Sequence, residues 1–87
     1  MTEYNSNLKY IFTHYGKKTQ ETKLIEELSE LIRAIARNDT ENFIEELADV
    51  QVLIDQFTLL YPDLAVKVVE IKHKKAARQI KRIKGDL

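Results

Sequence analysis

Two short acidic runs, Glu26-Glu27-Leu28-Ser29-Glu30 and Glu45-Glu46-Leu47-Ala48-Asp49, each crowd three carboxylates into five residues. Like charges three or four apart on a helix repel by about a few tenths of a kcal/mol per pair. A chain that builds this arrangement twice either presents solvated faces or holds something positive between them. Hard cations such as Mg²⁺, with Mn²⁺ as a substitute, take carboxylate oxygens and would neutralise the repulsion.

Angular position separates these acids. At about 100° per residue, Leu24, Ile25, Leu28, Leu31, Ile32 and Ile35 form an apolar stripe, and Glu26, Ser29, Arg33 and Arg37 lie opposite it. Between the two faces runs a flank of Gln20, Lys23, Glu27, Glu30 and Ala34. The second run repeats the pattern. Phe43, Leu47, Val50, Ile54, Phe57 and Tyr61 form the main stripe, with Glu46, Asp49, Leu53 and Leu60 beside it and Glu45 pointing away. Glu27, Glu30, Glu46 and Asp49 thus border the expected core. The residues four positions after them are Leu31, Ala34, Val50 and Leu53, so the usual Glu-to-Lys pairing is missing. An oxygen-only metal site built from these four is the reading they favour over solvated charge. Magnesium held by carboxylates usually brings a phosphate substrate, which supplies further ligands. Lys75, Arg78 and Arg82, on one face of a later helix, could receive phosphate oxygens, although alone they read as a solvated basic helix.

The elements that must position these residues are all helical. Apolar residues recur at i, i+3, i+4 and i+7 nearly throughout, with no alternating stretch long enough for a strand. Gly16, Pro62 and Gly85 are the only glycines and proline. The pattern predicts four helices, over about 7–14, 19–37, 40–60 and from 62 or 63 to about 84. Gly16 stops the first, one of Asn38, Asp39 or Thr40 caps the third, and Pro62 separates the third from the fourth. A break of about three residues after the second helix makes antiparallel neighbours, so the two acidic runs are carried towards each other on a helical hairpin. Ala48, Val52 and Leu59 add a second apolar patch to the third helix. Apolar on two sides, that helix needs two neighbours, one of which another subunit can supply. Tyr4, Tyr10, Phe12 and Tyr15 are expected to dock the first helix on the bundle, base stacking being the less favoured role, and His14 reads as a capping or surface residue.

Composition removes several classes of function. With 87 residues the chain reads as a single domain over 1–87 with a marginal core of its own. Acidic and basic residues balance at 14 each, so no net field draws it to a nucleic-acid polymer or a membrane. There is no cysteine, which removes disulfides and thiolate chemistry. No apolar run approaches the roughly 20 residues of a membrane span, and the N-terminus has no secretory pattern. A soluble, cytoplasmic protein is expected.

The same residues resemble a known family. "EELSE" and the later "EELAD" look like the EExxE…ExxD signature of the MazG-like, all-α nucleoside triphosphate pyrophosphohydrolases. "YGKKTQETKLIEE" is similar to that family's approach to its first motif, and "ENFIEELADVQVLIDQF" to its second-motif helix. "VVEIKHKKAARQIKRI" resembles the basic last helix of short phage and bacterial members, apart from His73 and Lys74, which replace an aromatic-rich pattern. The resemblance covers most of the chain. It implies a four-helix fold around a central antiparallel hairpin, assembled as a homodimer or dimer of dimers, in a bacterial, archaeal or phage-encoded protein. It implies hydrolysis of a (deoxy)nucleoside triphosphate to the monophosphate and pyrophosphate, in nucleotide-pool sanitation or regulation. Mg²⁺ would be held by Glu27, Glu30, Glu46 and Asp49, with Glu27 or Glu30 as general base. Gln20 and Lys23 would reach the substrate, and Lys75, Arg78 and Arg82 would hold the β- and γ-phosphates.

Three other readings compete. Phosphoribosyl-ATP pyrophosphohydrolase shares the fold and the acid quartet, but its second motif continues into a Tyr-His pair where this chain has "DVQVLI". A di-iron carboxylate bundle wants Glu-x-x-His motifs, of which Glu70 and His73 supply one. A non-catalytic binding or scaffold module would keep the helices and show no metal dependence.

Overall fold

A computed structural model describes residues 1–85. Four helices follow one another: α1 (Glu3–Tyr15), α2 (Lys17–Ala36), α3 (Thr40–Leu60) and α4 (Pro62–Ile83). There is no strand among the described residues.

Each junction is short, and each has an identifiable local cause. α1 begins four residues earlier than its apolar pattern predicts, because the Thr2 side chain accepts a hydrogen bond from the Asn5 N–H at 3.0 Å. Such a cap satisfies one of the donors a helix start leaves free. Gly16 ends α1 with φ 88° and at once starts α2. Its N–H donates to the Phe12 carbonyl at 2.8 Å, and its own carbonyl accepts from Gln20 N–H at 3.1 Å. That positive φ suits glycine, which lacks the Cβ that clashes there. Asn38, at φ 54°, closes α2 in the left-handed region, where asparagine is better tolerated than most residues. Of the three candidate caps for α3, Asp39 takes the role. Its carboxylate accepts from the Asn42 N–H at 3.2 Å and from the Asn42 Nδ2 at 2.7 Å. Tyr61 alone separates α3 from α4, and Pro62 opens α4 where its missing N–H is not needed.

The packing departs from the expected division into apolar core and polar flank. Leu8, Phe12, Ala34, Val50 and Leu53 form the buried apolar core, together with two polar residues, Gln20 and Gln56. On α2 the expected core stripe is largely exposed: Ile25 and Ile32 are each 66 % exposed. Ile35 and Leu28 are exposed as well, while Leu24 and Leu31 are half-buried. The residues that turn inward are the flank, with Gln20 and Ala34 buried and Glu27 half-buried. The physical reason is that α3 and α1 pack on this flank, leaving the stripe beyond it uncovered. On α1, Leu8 and Phe12 are the anchors. Phe12 meets the rings of Phe57 at 5.3 Å and Tyr61 at 5.9 Å edge-on. Tyr4 docks α1 on α3 as expected, its hydroxyl donating to the Asp55 Oδ2 at 2.7 Å, whereas Tyr10 and Tyr15 are more exposed, contrary to the expectation that they dock the helix. His14 is an exposed residue, as expected, set against the ring of Tyr15 at 4.7 Å.

α4 buries no residue, and of the other helices it packs on α3 alone. The radius of gyration is 16.0 Å, against about 12 Å for a compact chain of this length. No helix among the described residues is long and apolar enough to cross a membrane.

Candidate metal and nucleotide site

α2 and α3 are joined by Arg37, Asn38 and Asp39 and pack against one another. Gln20 near the start of α2 meets Gln56 near the end of α3, and Glu27 meets Glu46 and Asp49 further along. The helical period places these residues on facing flanks, so both acidic runs contribute to one volume.

Glu27, Glu46 and Asp49 each offer a carboxylate oxygen within 4.8 Å of the other two. Glu30, the fourth acid of the sequence-derived quartet, lies one turn along α2 outside this cluster, exposed, with its Oε2 3.7 Å from Arg33. Glu26 is 61 % exposed at its side chain and also lies outside the cluster. Charge compensation reaches the cluster from behind: the Lys23 Nζ stands 3.3 Å from Glu27 and 3.6 Å from Glu26. The i+4 search from each acid towards the C-terminus misses this pair, because the cation precedes the acid.

The electrostatics of the trio are those of acids competing for one proton. The Glu46 carboxyl is pushed up to about 7 by its hydrogen bond with Glu27, by desolvation, and by the charges of Glu27, Asp49 and Glu30. Glu27 is held below the usual carboxylate range, first by the hydrogen bond from Glu46 and then by Lys23, against desolvation. Asp49 is raised, chiefly by desolvation and by the Glu27 charge. The Oε2 of Glu46 is buried with no hydrogen-bond partner among the described residues. A buried acceptor left unpaired is costly, and here it belongs to the acid that the cluster resists ionising. An all-oxygen donor set with an orphaned carboxylate oxygen fits a hard divalent cation.

A cleft of about 760 Å³ opens beside the cluster. Glu27 and Asp49 line it at one end, Gln20 and Gln56 further along the same helices, with Lys23 and Tyr15 among the walls. The basic triplet is elsewhere: Lys75, Arg78 and Arg82 are exposed on α4, and the cleft lining does not include them. Gln56 is the residue sequence reasoning missed. It lies seven positions after Asp49 and three after Leu53, on the flank that carries Glu46, and that spacing was the available signal.

The family model of the MazG nucleotide pyrophosphohydrolase domain matches residues 16–82, from the glycine that starts α2 to near the end of α4. No curated protein and no solved structure matches the chain.

Proposed function

This chain belongs to the MazG nucleotide pyrophosphohydrolase domain family, and we propose that it hydrolyses a (deoxy)nucleoside triphosphate to the monophosphate and pyrophosphate, with Mg²⁺ as cofactor. The observation that carries this reading is the convergence of Glu27, Glu46 and Asp49, with the Glu46 Oε2 orphaned, at the end of a cleft large enough for a nucleotide.

The cation would be held by Glu27, Glu46 and Asp49, with Glu30 one turn away as the fourth acid of the motif. When bound it supplies neutralisation of the triphosphate and lowers the pKa of water. The remaining roles fall to the chain itself. A carboxylate takes the proton as water attacks the α-phosphorus, and the α–β anhydride bond breaks with pyrophosphate leaving. Glu27, which lines the cleft, or Glu30, one turn further along α2, is the candidate base. Lys23, shared between Glu26 and Glu27, lines the cleft and can exchange an acid for a phosphate oxygen.

The proposed assembly is a homodimer or a dimer of dimers. Ile25, Leu28, Ile32 and Ile35 on α2, and Val66, Val69, Ile80 and Ile83 on α4, are exposed. Covering half-exposed aliphatic side chains is worth roughly 1 kcal/mol each. A second copy would cover these faces and bring the partner's α4, with its basic triplet, towards the β- and γ-phosphates. Nucleotide-pool sanitation or regulation is the physiological role that such an activity would serve.

The test is a panel of canonical and modified (d)NTPs with Mg²⁺, scored for pyrophosphate against phosphate. Pyrophosphate is the expected product. Phosphate release, or no turnover of any nucleotide, would overturn the reading, and turnover without added divalent cation would remove the metal from it.

A further inference from the structure

We propose that the buried Gln20–Gln56 amide pair reads the nucleobase, an inference that rests on the nucleotide reading above. Gln20 is 4 % exposed and Gln56 1 %. The Gln20 Nε2 donates to the Gln56 Oε1 at 2.8 Å. Two primary amides joined by one hydrogen bond leave a carbonyl oxygen and one N–H on the donor amide and an NH₂ on the acceptor amide. Among the described residues no other hydrogen bond engages either side chain, and neither leftover group is fully sealed. Both residues line the cleft. A seam that only joined two helices would be built more stably from aliphatic side chains, as at neighbouring Leu53 and Val50.

Position supports the assignment. Gln20 precedes Glu27 by two helical turns and Gln56 follows Asp49 by two, about 10 Å along the helix axes. A ribose separates a nucleobase edge from its α-phosphate by a comparable distance. With the phosphates at the carboxylates, the base falls at the amide pair, in a cleft that the Tyr15 ring and the apolar side chains of Ile11 and Val52 also line.

The chemistry matches a Watson–Crick edge, where every nucleobase sets a donor beside an acceptor. A carboxamide reads such an adjacent pair bidentately. Here one amide supplies the acceptor and the other the donor. Turning both amides over together preserves the bond between them and exchanges the two groups. The pair therefore accepts amino-type and keto-type edges alike, and discriminates against bases stripped of the exocyclic group.

The experiment compares KM and kcat for wild type and the double variant Q20M/Q56M on the four dNTPs and on the triphosphates of purine and 2-pyrimidinone nucleosides. Inorganic tripolyphosphate serves as a base-free inhibitor. In wild type the stripped bases should raise KM by about 10- to 100-fold, with the effect falling on KM more than on kcat. In the double variant that gap should collapse, while tripolyphosphate inhibits both proteins equally. Equal KM values for natural and stripped bases in wild type, or a gap that survives in the variant, would overturn the proposal and leave the pair a packing feature. If the double variant does not fold, the wild-type comparison decides alone. Gln56→Glu then adds a second readout: it keeps an acceptor for the Gln20 Nε2 and replaces the free donor with a carboxylate oxygen. It should raise KM for the natural bases while sparing tripolyphosphate, and an unchanged KM would count against the proposal. If wild type releases pyrophosphate from no nucleotide, the pyrophosphohydrolase reading falls and this one with it, a pattern distinct from turnover without base discrimination.

Discussion

α2 and α4 are amphipathic helices of 20 and 22 residues, and they use their surfaces in opposite ways. α2 turns inward a line of mixed chemistry, Gln20, Glu27 and Ala34, and leaves Ile25 and Ile32 outside. α4 turns nothing fully inward. The difference shows that within one chain the strongest apolar stripe need not be the buried one. On α2 the inward face is the one that assembles the carboxylates, and the aliphatic faces of both helices remain for another surface.

The largest expected effect breaks the α2 side of this comparison. Glu27→Gln or Asp49→Asn should lower pyrophosphate release by about 10²- to 10⁴-fold. Thermal stability without Mg²⁺ should be preserved or raised by Asp49→Asn, whose carboxyl is raised by desolvation and the Glu27 charge, and slightly lowered by Glu27→Gln, which gives up the pairing with Lys23. Loss of the fold in both variants, seen by circular dichroism, would make the acids structural. Next in size is the exposed stripe. Ile25→Asp with Ile32→Asp should shift the protein to monomer in light scattering and lower its melting temperature by roughly 10 °C. An unchanged mass would mean that the stripe is solvated, and Val69→Asp poses the same question for α4.

A smaller effect compares the two junctions of α3. Asp39→Ala removes the cap that starts it and should cost about 1 kcal/mol, a shift of about 4–8 °C. Asp63, in the first turn of α4, makes no side-chain cap, so Asp63→Ala should lose only its helix-dipole contribution, about 0.3–1 kcal/mol. Equal losses in denaturant melts would erase the distinction.

The smallest effect is the pH dependence. Glu46 is raised in the fold from 4.5 to about 7, so the folded protein binds more protons than the unfolded chain across that interval. The contribution to metal-free stability is full below about 4.5 and is lost as pH rises through about 7. The lowered Glu27 titrates below that interval and adds no opposing slope within it. Melts in chelator from pH 5 to 8 should therefore decline, and Mg²⁺ should restore stability most at the upper end. A rise with pH in chelator would contradict the proton sharing.

Much of this architecture was legible in the residues. The bounds of α3 follow from the polar break at one end and Pro62 at the other, and both fall where the pattern sets them. α2 begins earlier than its periodicity suggests, because a glycine at positive φ lets one helix start where another stops. The convergence of Glu27, Glu46 and Asp49 follows from angular position on two helices joined by a short turn. Glu30 shares the flank of Glu27 but sits one turn further along, and angle alone does not register that displacement. The spacing of Gln56 places it on the flank of Glu46 and Asp49, but its role appears only with its partner across the seam. Lys75, Arg78 and Arg82 lie outside the cleft, on a helix that packs on α3 alone, a placement that neither periodicity nor spacing encodes.

Gly16 has a consequence for the range of molecules the cleft admits. Ile11 and Tyr15 stand on one side of that residue and Lys18, Thr19 and Gln20 on the other, and all five line the cleft. The two walls meet at a corner of a single residue whose N–H and carbonyl are both engaged. A loop at that corner would have supplied slack. Here the angle between the walls is set by the φ and ψ of one residue, held by those two hydrogen bonds. Oversized ligands meet a wall that can yield only by fraying a helix end.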